Sequence, residues 1–579
     1  MTTQPSATPT SSTVFLVLRR MRTPLVLLIG IYAVCVLGLM LIPGVDAEGR
    51  AAPGLSFFHA FYVISYTATT IGFGELPLPF SDAQRLWVTT CIYLTVVGWS
   101  YAVVNILTLL QEKAFRAAVA ANRFTRRVRR LTEPFYLVCG AGATGTTVVR
   151  SLAGLGLQCV IIERDELRVQ ELELEDLATD PPMLTADAAQ PDTLLRAGML
   201  HPQCQGVVAL TDDEQANLAV AIAARLLNPE YPVIARTTHD VVAANMASFG
   251  TDHIINPFEK FAAELALSIA APDHYRLTEL LTGLPGDELP EPHRPPRGRW
   301  IVSGYGRFGR AVVREFTRLG ITVTVIEPQP RARHDELPDG VRFVAGRGTE
   351  RAVLLAAGAD TASGVVAASD SDVDNLSTAI TARETHPGIF IVTRQNQAAN
   401  AALFTAFEHD FAMVPSDIVA TECVALLTTP LLNQFVVQIP AFDEAWCADL
   451  AARLEQAGHQ RVPRYWDVAL DAAHAPAVVD ALAQGRVVTL GDLTRDPSDR
   501  SSSLDLVMLM WHHGEDRVVL PGPDVVLAPG DRLLVAGRSA AQRRLRTTLQ
   551  NANALEYLLT GSEHSGWLWR SLSRSARPR

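Results

Sequence analysis

No CxxC pair occurs among the seven cysteines, which are scattered along the 579 residues, so neither a zinc site nor a disulfide framework is encoded. Reduced, buried thiols are expected. A basic surplus is also missing: 61 acidic against 50 basic residues leave a formal charge of −11. A nucleic-acid partner, which asks for a basic face with aromatic platforms, is excluded on that ground. No Cys-His pair, HExxH or Ser-Lys arrangement appears, and no enzyme is indicated. No segment has the alternating oxygen spacing of an EF-hand, so Ca2+ is left without support. No span carries patterned arginines, which argues against voltage gating. The length exceeds a single core and implies three or four units.

Long charge-free runs are confined to the first quarter. Leu25 to Ile42 is uncharged and, at about 1.5 Å per residue, nearly crosses a hydrocarbon core of about 30 Å. A second such run extends from Leu86 to Leu110, with Lys113, Arg116, Arg123, Arg126, Arg127, Arg129 and Arg130 directly behind it. Arg19, Arg20 and Arg22 precede the first. Basic flanks mark the cytoplasmic side, so the hairpin is expected to lie in an inner or plasma membrane, multi-pass, with both termini cytoplasmic. A second span and the length of the first argue against a cleaved signal peptide.

Between the spans lies a shorter apolar stretch, residues 56–69, with Ser56 as a helix N-cap. Too short to cross, it is expected to be re-entrant. It leads into Thr70-Ile71-Gly72-Phe73-Gly74-Glu75, a poor helix whose backbone needs protein or ions as partners. The two alternate glycines relax the backbone so that successive carbonyls can face one way and replace the water around a cation. Four copies are needed to surround the ion. This order of span, short helix, Thr-Ile-Gly-Phe-Gly-Glu and span resembles the pore of two-transmembrane potassium channels. The resemblance implies a homotetramer that conducts K+ past the carbonyls of Thr70, Ile71, Gly72 and Phe73 and the Thr70 hydroxyl, with Gly74 completing the filter and Glu75 at the outer mouth. Phe73 stands where most members have Tyr, and it cannot supply a phenolic hydrogen bond behind the filter. Gly98, in the second span, resembles the family's gating hinge, and a close helix contact explains it equally well.

After Thr132, short apolar runs alternate with helical patterns, as in a parallel sheet with crossover helices. FYLVCGAGATG brings Gly140, Gly142 and Gly145 to the end of a strand, and the next strand ends at Glu163. These are the parts of a dinucleotide fingerprint: glycines for close approach of pyrophosphate to a helix N-terminus, and an acid for ribose hydroxyls. Ala143, Thr144 and Arg164 belong to the same set. WIVSGYGRFG repeats the pattern with Gly304, Gly306, Gly309 and Glu327, the glycine-to-acid separation being identical. Arg307 and Phe308 lie between its glycines, and Arg307 suits a phosphate. Asp212, Asn217, Arg236 and Pro257 recur as Asp370, Asn375, Arg394 and Pro415 at one constant offset, the mark of a duplicated domain. Asp212, Asp213, Asp370 and Asp372 are expected to cap helices. These segments resemble RCK (regulator of potassium conductance) domains, also called TrkA-N-like. The resemblance implies NAD(H) or an adenine nucleotide as regulatory ligand and places Asp187 beside the adenosine portion, where the second copy has Arg347.

The expected fold class is a two-span α-helical pore domain, two tandem α/β Rossmann-like domains and a small α+β subdomain. The expected boundaries are a cytoplasmic segment 1–22, a pore domain 23–112 (span 24–43, pore helix 56–69, filter 70–75, span 86–110) and a linker 113–133. There follow the first RCK domain 134–283, a Pro-rich linker 284–298, the second RCK domain 299–434, a C-terminal RCK-C-like region 435–550 and a mobile tail 551–579. The basic linker is expected as a solvated helix flanking membrane lipid. The C-terminal region is assigned to packing or dimerisation, with a second effector as the alternative.

Overall fold

The computed structural model describes residues 10–46, 50–74, 79–283, 285–289, 294–329 and 337–562, with the side chains of 10–21, 109 and 114 excepted. The chain divides into two compact units, residues 1–131 and 132–579.

The first unit is helical. Helix α1 (Thr10–Leu41) and helix α3 (Asp82–Gln111) each contain a segment long and apolar enough to cross a membrane, Arg22–Leu41 and Asp82–Thr108. The strands β1 (Gly44–Val45) and β2 (Ala51–Ala52) form a small antiparallel hairpin that the sequence did not announce. Helix α2 (Phe57–Ala68) is the short re-entrant candidate, and Ser56 caps it by accepting from the His59 N–H. Cys35, Leu39, Val63, Ile64 and Cys91 bury the seam between the three helices. The opposite faces leave Val26, Ile29, Leu86, Tyr93 and Val97 exposed, an apolar band suited to lipid or to other copies of the chain. Helix α3 runs without a break through Gly98, where a Cβ would come 2.7 Å from Ile31 Cδ1 on α1. Gly98 thus lies at a close contact between α1 and α3. Helix α4 (Lys113–Val128) follows, turning the basic linker into a regular helix.

The second unit begins with β3 (Phe135–Cys139), α5 (Ala143–Gly154), β4 (Gln158–Glu163), α6 (Glu166–Glu173), β5 (Met183–Thr185) and α7 (Pro191–Arg196). It continues with β6 (Cys204–Ala209), α8 (Glu214–Leu227), β7 (Val233–Arg236), α9 (Asp240–Ser248) and β8 (His253–Ile255). The strands pair in parallel in the order β5-β4-β3-β6-β7-β8, a doubly wound Rossmann sheet whose strand order reverses beside the glycine turn. Helices α10 (Pro257–Ala270) and α11 (Pro272–Thr282) lead away from it. The second copy comprises β9 (Arg299–Ser303), α12 (Arg307–Arg318), β10 (Thr322–Glu327), β11 (Arg342–Ala345), α13 (Arg351–Ala357) and β12 (Gly364–Ala367). It is completed by α14 (Asp372–Thr385), β13 (Phe390–Arg394), α15 (Ala401–Phe407), β14 (Phe411–Met413), α16 (Pro415–Thr428) and α17 (Pro430–Val436). Its sheet repeats the order, β11-β10-β9-β12-β13-β14.

The duplication is visible in detail. Asn217, fully buried, accepts from the Thr211 N–H and donates to the Thr211 and Arg236 carbonyls. Asn375 makes the same bonds with Ser369 and Arg394. The copies also exchange helices. Phe258, Phe261, Ala262, Leu265 and Ile269 of α10 belong to the core formed by α12 and the second sheet, while Val419, Ala420, Cys423 and Val424 of α16 belong to the core of the first.

The C-terminal subdomain contains α18 (Glu444–Gly458), β15 (Arg464–Ala469), α19 (Pro476–Ala483), α20 (Leu490–Leu493), β16 (Arg495–Asp496) and β17 (Asp499–Ser503). Next come β18 (Leu506–His513), β19 (Asp516–Val519), β20 (Arg532–Gly537), α21 (Ser539–Gln550) and α22 (Ala552–Thr560). An antiparallel sheet in the order β15-β20-β18-β19 is its centre. Residues 552–560, expected in the tail, form α22 instead: Asn551 caps it, and Leu555 and Leu558 are buried.

The exchange of α10 and α16 predicts that neither copy is soluble alone. A fragment of residues 132–283 lacks α16 and bares Val148, Val149 and Leu152. It should aggregate when expressed alone and become soluble when co-expressed with 294–562, as read by size-exclusion chromatography. A soluble, monomeric 132–283 would contradict the exchange.

Candidate functional site

In the first unit, the backbone behind α2 turns sharply. The N–H groups of Ile71 and Gly72 both donate to the Tyr66 carbonyl, at 3.0 and 3.2 Å. Positive φ values occur at Thr70 (62°), Gly72 (61°) and Gly74 (74°), but not at Ile71 or Phe73. Left-handed residues thus alternate with ordinary ones, the backbone condition for carbonyls of consecutive residues to gather on one side. Two of the three positions are glycine, as expected. Thr70 is the exception, and holding a threonine there costs about 1 kcal/mol or more. Ile71 and Phe73 are well exposed in the single chain, and Phe73 meets Tyr66 edge-on at 6.2 Å. Glu75 lies outside the described residues.

In the second unit, the first glycine turn opens on a cavity of about 190 Å³ lined by Gly140, Gly142, Glu163, Arg164, Arg168 and Asp187, among others. A Cβ on Gly145 would come 1.9 Å from the Gly140 carbonyl oxygen, so the turn closes only around glycine. Gly142 is the N-cap residue of α5, and no side chain caps the helix. A turn that leaves a helix N-terminus open, with an acid at the end of the neighbouring strand, fits the diphosphate and ribose of a nucleotide. Glu163 is buried, its carboxylate accepting from the Ala141 N–H at 2.6 Å and the Asp165 N–H at 2.8 Å. Glu327 accepts from the Tyr305 N–H at 2.9 Å in the second turn, where Gly304, Gly306 and Gly309 repeat the geometry. Both acids therefore brace their own glycine turns, and Glu163 also lines the cavity at the first. Asp187 accepts from the Ala189 N–H within its loop.

Several residues lie elsewhere than expected. Phe308 is buried under α10, packed on Phe258 and Phe261, and lines no ligand cavity among those described. Arg307 turns away from its own glycines and donates to the Thr238 hydroxyl of the first copy at 2.6 Å. Ala143 and Thr144 share a larger cleft of about 900 Å³ between the copies with Arg307, Arg236 and Arg394. Of the four acids expected as caps, only Asp213 caps a helix. Asp212 pairs with Arg236 at 3.0 Å and Asp370 with Arg394 at 2.6 Å. Asp372, next to the true cap Ser371, accepts from the Asn396 and Gln397 N–H groups and from Asn400. Arg168 is a site residue that the fingerprint did not flag, since it enters from α6 rather than from the glycine turn.

Glu214 joins the copies indirectly. It accepts from Thr237 and from the N–H and hydroxyl of Thr238, and lies 2.8 Å from His239 Nδ1. Burial opposes its ionisation, yet the bonds from Thr238, His239 and Thr237 outweigh it and hold the carboxyl below the usual carboxylate range. Asp372 is lowered in the same way, burial being outweighed by Asn400 and Asn396.

The sequence profile of the TrkA-N domain matches residues 136–257 and 300–415. These two segments are TrkA-N domains. Potassium channel protein 1 of Methanocaldococcus jannaschii is 25% identical over 222 residues, 38% of this chain and 64% of that protein. Probable potassium channel protein 2 of the same organism is 30% identical over 206 residues, 35% of this chain and 58% of its own length. The chain thus spans less than two thirds of these curated relatives. Among solved structures, the GsuK channel covers 93% of this chain at 19% identity with a TM-score of 0.43, and GsuK bound to NAD covers the same share at 18% and 0.42.

Two outcomes follow for the TrkA-N pair. Gly145→Ala should lower stability by about 2 kcal/mol, measured by urea denaturation, because backbone and not a flexible side chain meets the new methyl. Since the folded-state pKa values of Glu214 and Asp372 are depressed, their stabilisation is present above the unfolded carboxylate value of about 4 and is lost as the pH falls through the lowered values. Denaturation midpoints should therefore drop on acidification in that window, and Glu214→Gln should reduce the drop.

Proposed function

We propose that this chain is one subunit of a homotetrameric, potassium-selective channel, gated by NAD(H) or an adenine nucleotide bound to its TrkA-N domains. The observation that carries the reading is the alternating backbone at Thr70, Gly72 and Gly74, set between a short capped helix and an apolar span, in one chain with two TrkA-N domains. The carbonyls of Thr70, Ile71, Gly72 and Phe73 and the Thr70 hydroxyl, repeated four times, replace the hydration shell of K+. Glu75 concentrates cations at the outer mouth. The relatives named as potassium channels, and the GsuK structure described as NAD-bound, support this direction.

The basic residues flanking both spans put the termini and the TrkA-N domains on the cytoplasmic side of the plasma membrane. Helix α4 connects α3 to the TrkA-N pair in sequence and carries the ligand signal to the gate. A nucleotide moves the gate only by its differential affinity for open and closed states; about 100-fold preference supplies about 2.7 kcal/mol per site, and four sites acting together make a modest preference decisive. The protein performs no chemistry on the nucleotide in this account.

The test is potassium flux from proteoliposomes. Wild-type protein should release K+ at a rate that changes on adding NAD, NADH or ADP. Gly72→Ala, which puts a Cβ where φ is 61°, should abolish flux while leaving nucleotide binding intact. Gly145→Ala should leave a flux that no longer responds to nucleotide. Equal flux with and without every nucleotide would refute gating, and unchanged flux in Gly72→Ala would refute the assigned ion path.

A further inference from the structure

At the first glycine turn, the position beside the open N-terminus of α5 is flanked by charge. A Cβ placed on Gly142 would lie 3.0 Å from Arg168 Nη1 and 3.6 Å from Asp212 Oδ2. An anion seated there would touch the guanidinium of Arg168 and would also confront a carboxylate. That carboxylate is held by cations on both sides: Arg168 Nη1 is 3.6 Å from Asp212 Oδ2, and Arg236 Nη1 is 3.0 Å from Asp212 Oδ1. Asp212 thus supplies the negative charge that the helix terminus and Arg168 attract.

The hold is weak. The Asp212 side chain is 69% exposed and that of Arg168 43%, and exposed ion pairs of this length contribute little. A diphosphate, with more negative charge and oxygens suited to a guanidinium, competes effectively for Arg168. Resting on the reading of this turn as a nucleotide site, we propose that Arg168 is the diphosphate-recognising residue of the first TrkA-N domain and that Asp212 is its built-in competitor, displaced when a nucleoside diphosphate binds.

The exchange also gives the ligand a route to the second copy. Arg236 has a buried Nε with no hydrogen-bond partner, so Asp212 is the carboxylate that holds this side chain in place. Arg236 ends β7, two residues before Thr238, whose hydroxyl receives Arg307 of the second copy. Moving Asp212 off Arg236 therefore alters the neighbourhood of the contact between the copies.

Calorimetric titration of the full-length protein in detergent with adenosine, AMP, ADP and NAD tests this. Arg168→Gln should weaken ADP and NAD about tenfold and leave adenosine unchanged, the loss expected for one charge-assisted contact. Arg168→Lys should restore most of the ADP affinity. Asp212→Asn should tighten ADP and NAD several-fold without affecting adenosine, and the exposed position of Asp212 keeps that variant folded. Equal weakening of adenosine and ADP in Arg168→Gln, or no tightening in Asp212→Asn, would overturn the proposal and leave the nucleotide site standing. Failure of the wild-type protein to bind any of the four ligands would overturn the nucleotide reading and this proposal with it.

Discussion

The last helix of each Rossmann copy is packed on the first helix of the other, and the rest of the second unit depends on that exchange. Helix α10 supplies Phe258, Phe261 and Leu265 to the second core, and α16 supplies Val419, Cys423 and Val424 to the first. Burying such side chains is worth about 1.5 to 3 kcal/mol each, so a copy deprived of its partner's helix loses a large part of a stability that is ordinarily about 5 to 15 kcal/mol. The two glycine turns are therefore fixed at the edge of one shared cleft. A ligand that changes the first copy acts on a structure that the second helps to hold together.

This arrangement explains where charge is placed. The first turn brings its glycines and Glu163 together with Arg164 and Arg168, whereas Arg236, Arg307 and Arg394 gather in the cleft between the copies. Arg394 and Arg307 both lie over the Phe258 ring, with guanidinium carbons 4.7 and 5.6 Å from its centre. Phe258 comes from α10, the exchanged helix, so packing and electrostatics meet at one residue. Asp212 and Asp370 hold the equivalent arginines Arg236 and Arg394 in the two copies, and Glu214 and Asp372 saturate the loops beside them.

What could be read in the sequence was what local chemistry determines. The apolar runs became α1 and α3, Ser56 capped α2, and the glycine fingerprints appeared at the ends of β3 and β9 with their acids on β4 and β10. Features set by long-range packing were not legible. The partner of Gly98 is Ile31 on a different helix, and Phe308 is core because α10 arrives from the other copy. Arg307 looked like a phosphate ligand from its place among glycines, yet its side chain meets Thr238 of the first copy. Arg168 carries no motif, since its position beside Gly142 follows from the path of α6. The positive φ at Thr70 was hidden because threonine, unlike glycine, does not announce that conformation.

The account joins a main-chain ion path in the first unit to nucleotide binding in the second, and a planar-bilayer recording measures both at once. With purified protein and a potassium gradient, it predicts a current that reverses at the potassium potential and changes reversibly when NAD or ADP is perfused on the side bearing the TrkA-N domains, but not on the other. A bilayer that passes no potassium current, or a current that ignores nucleotide on both sides, would contradict it.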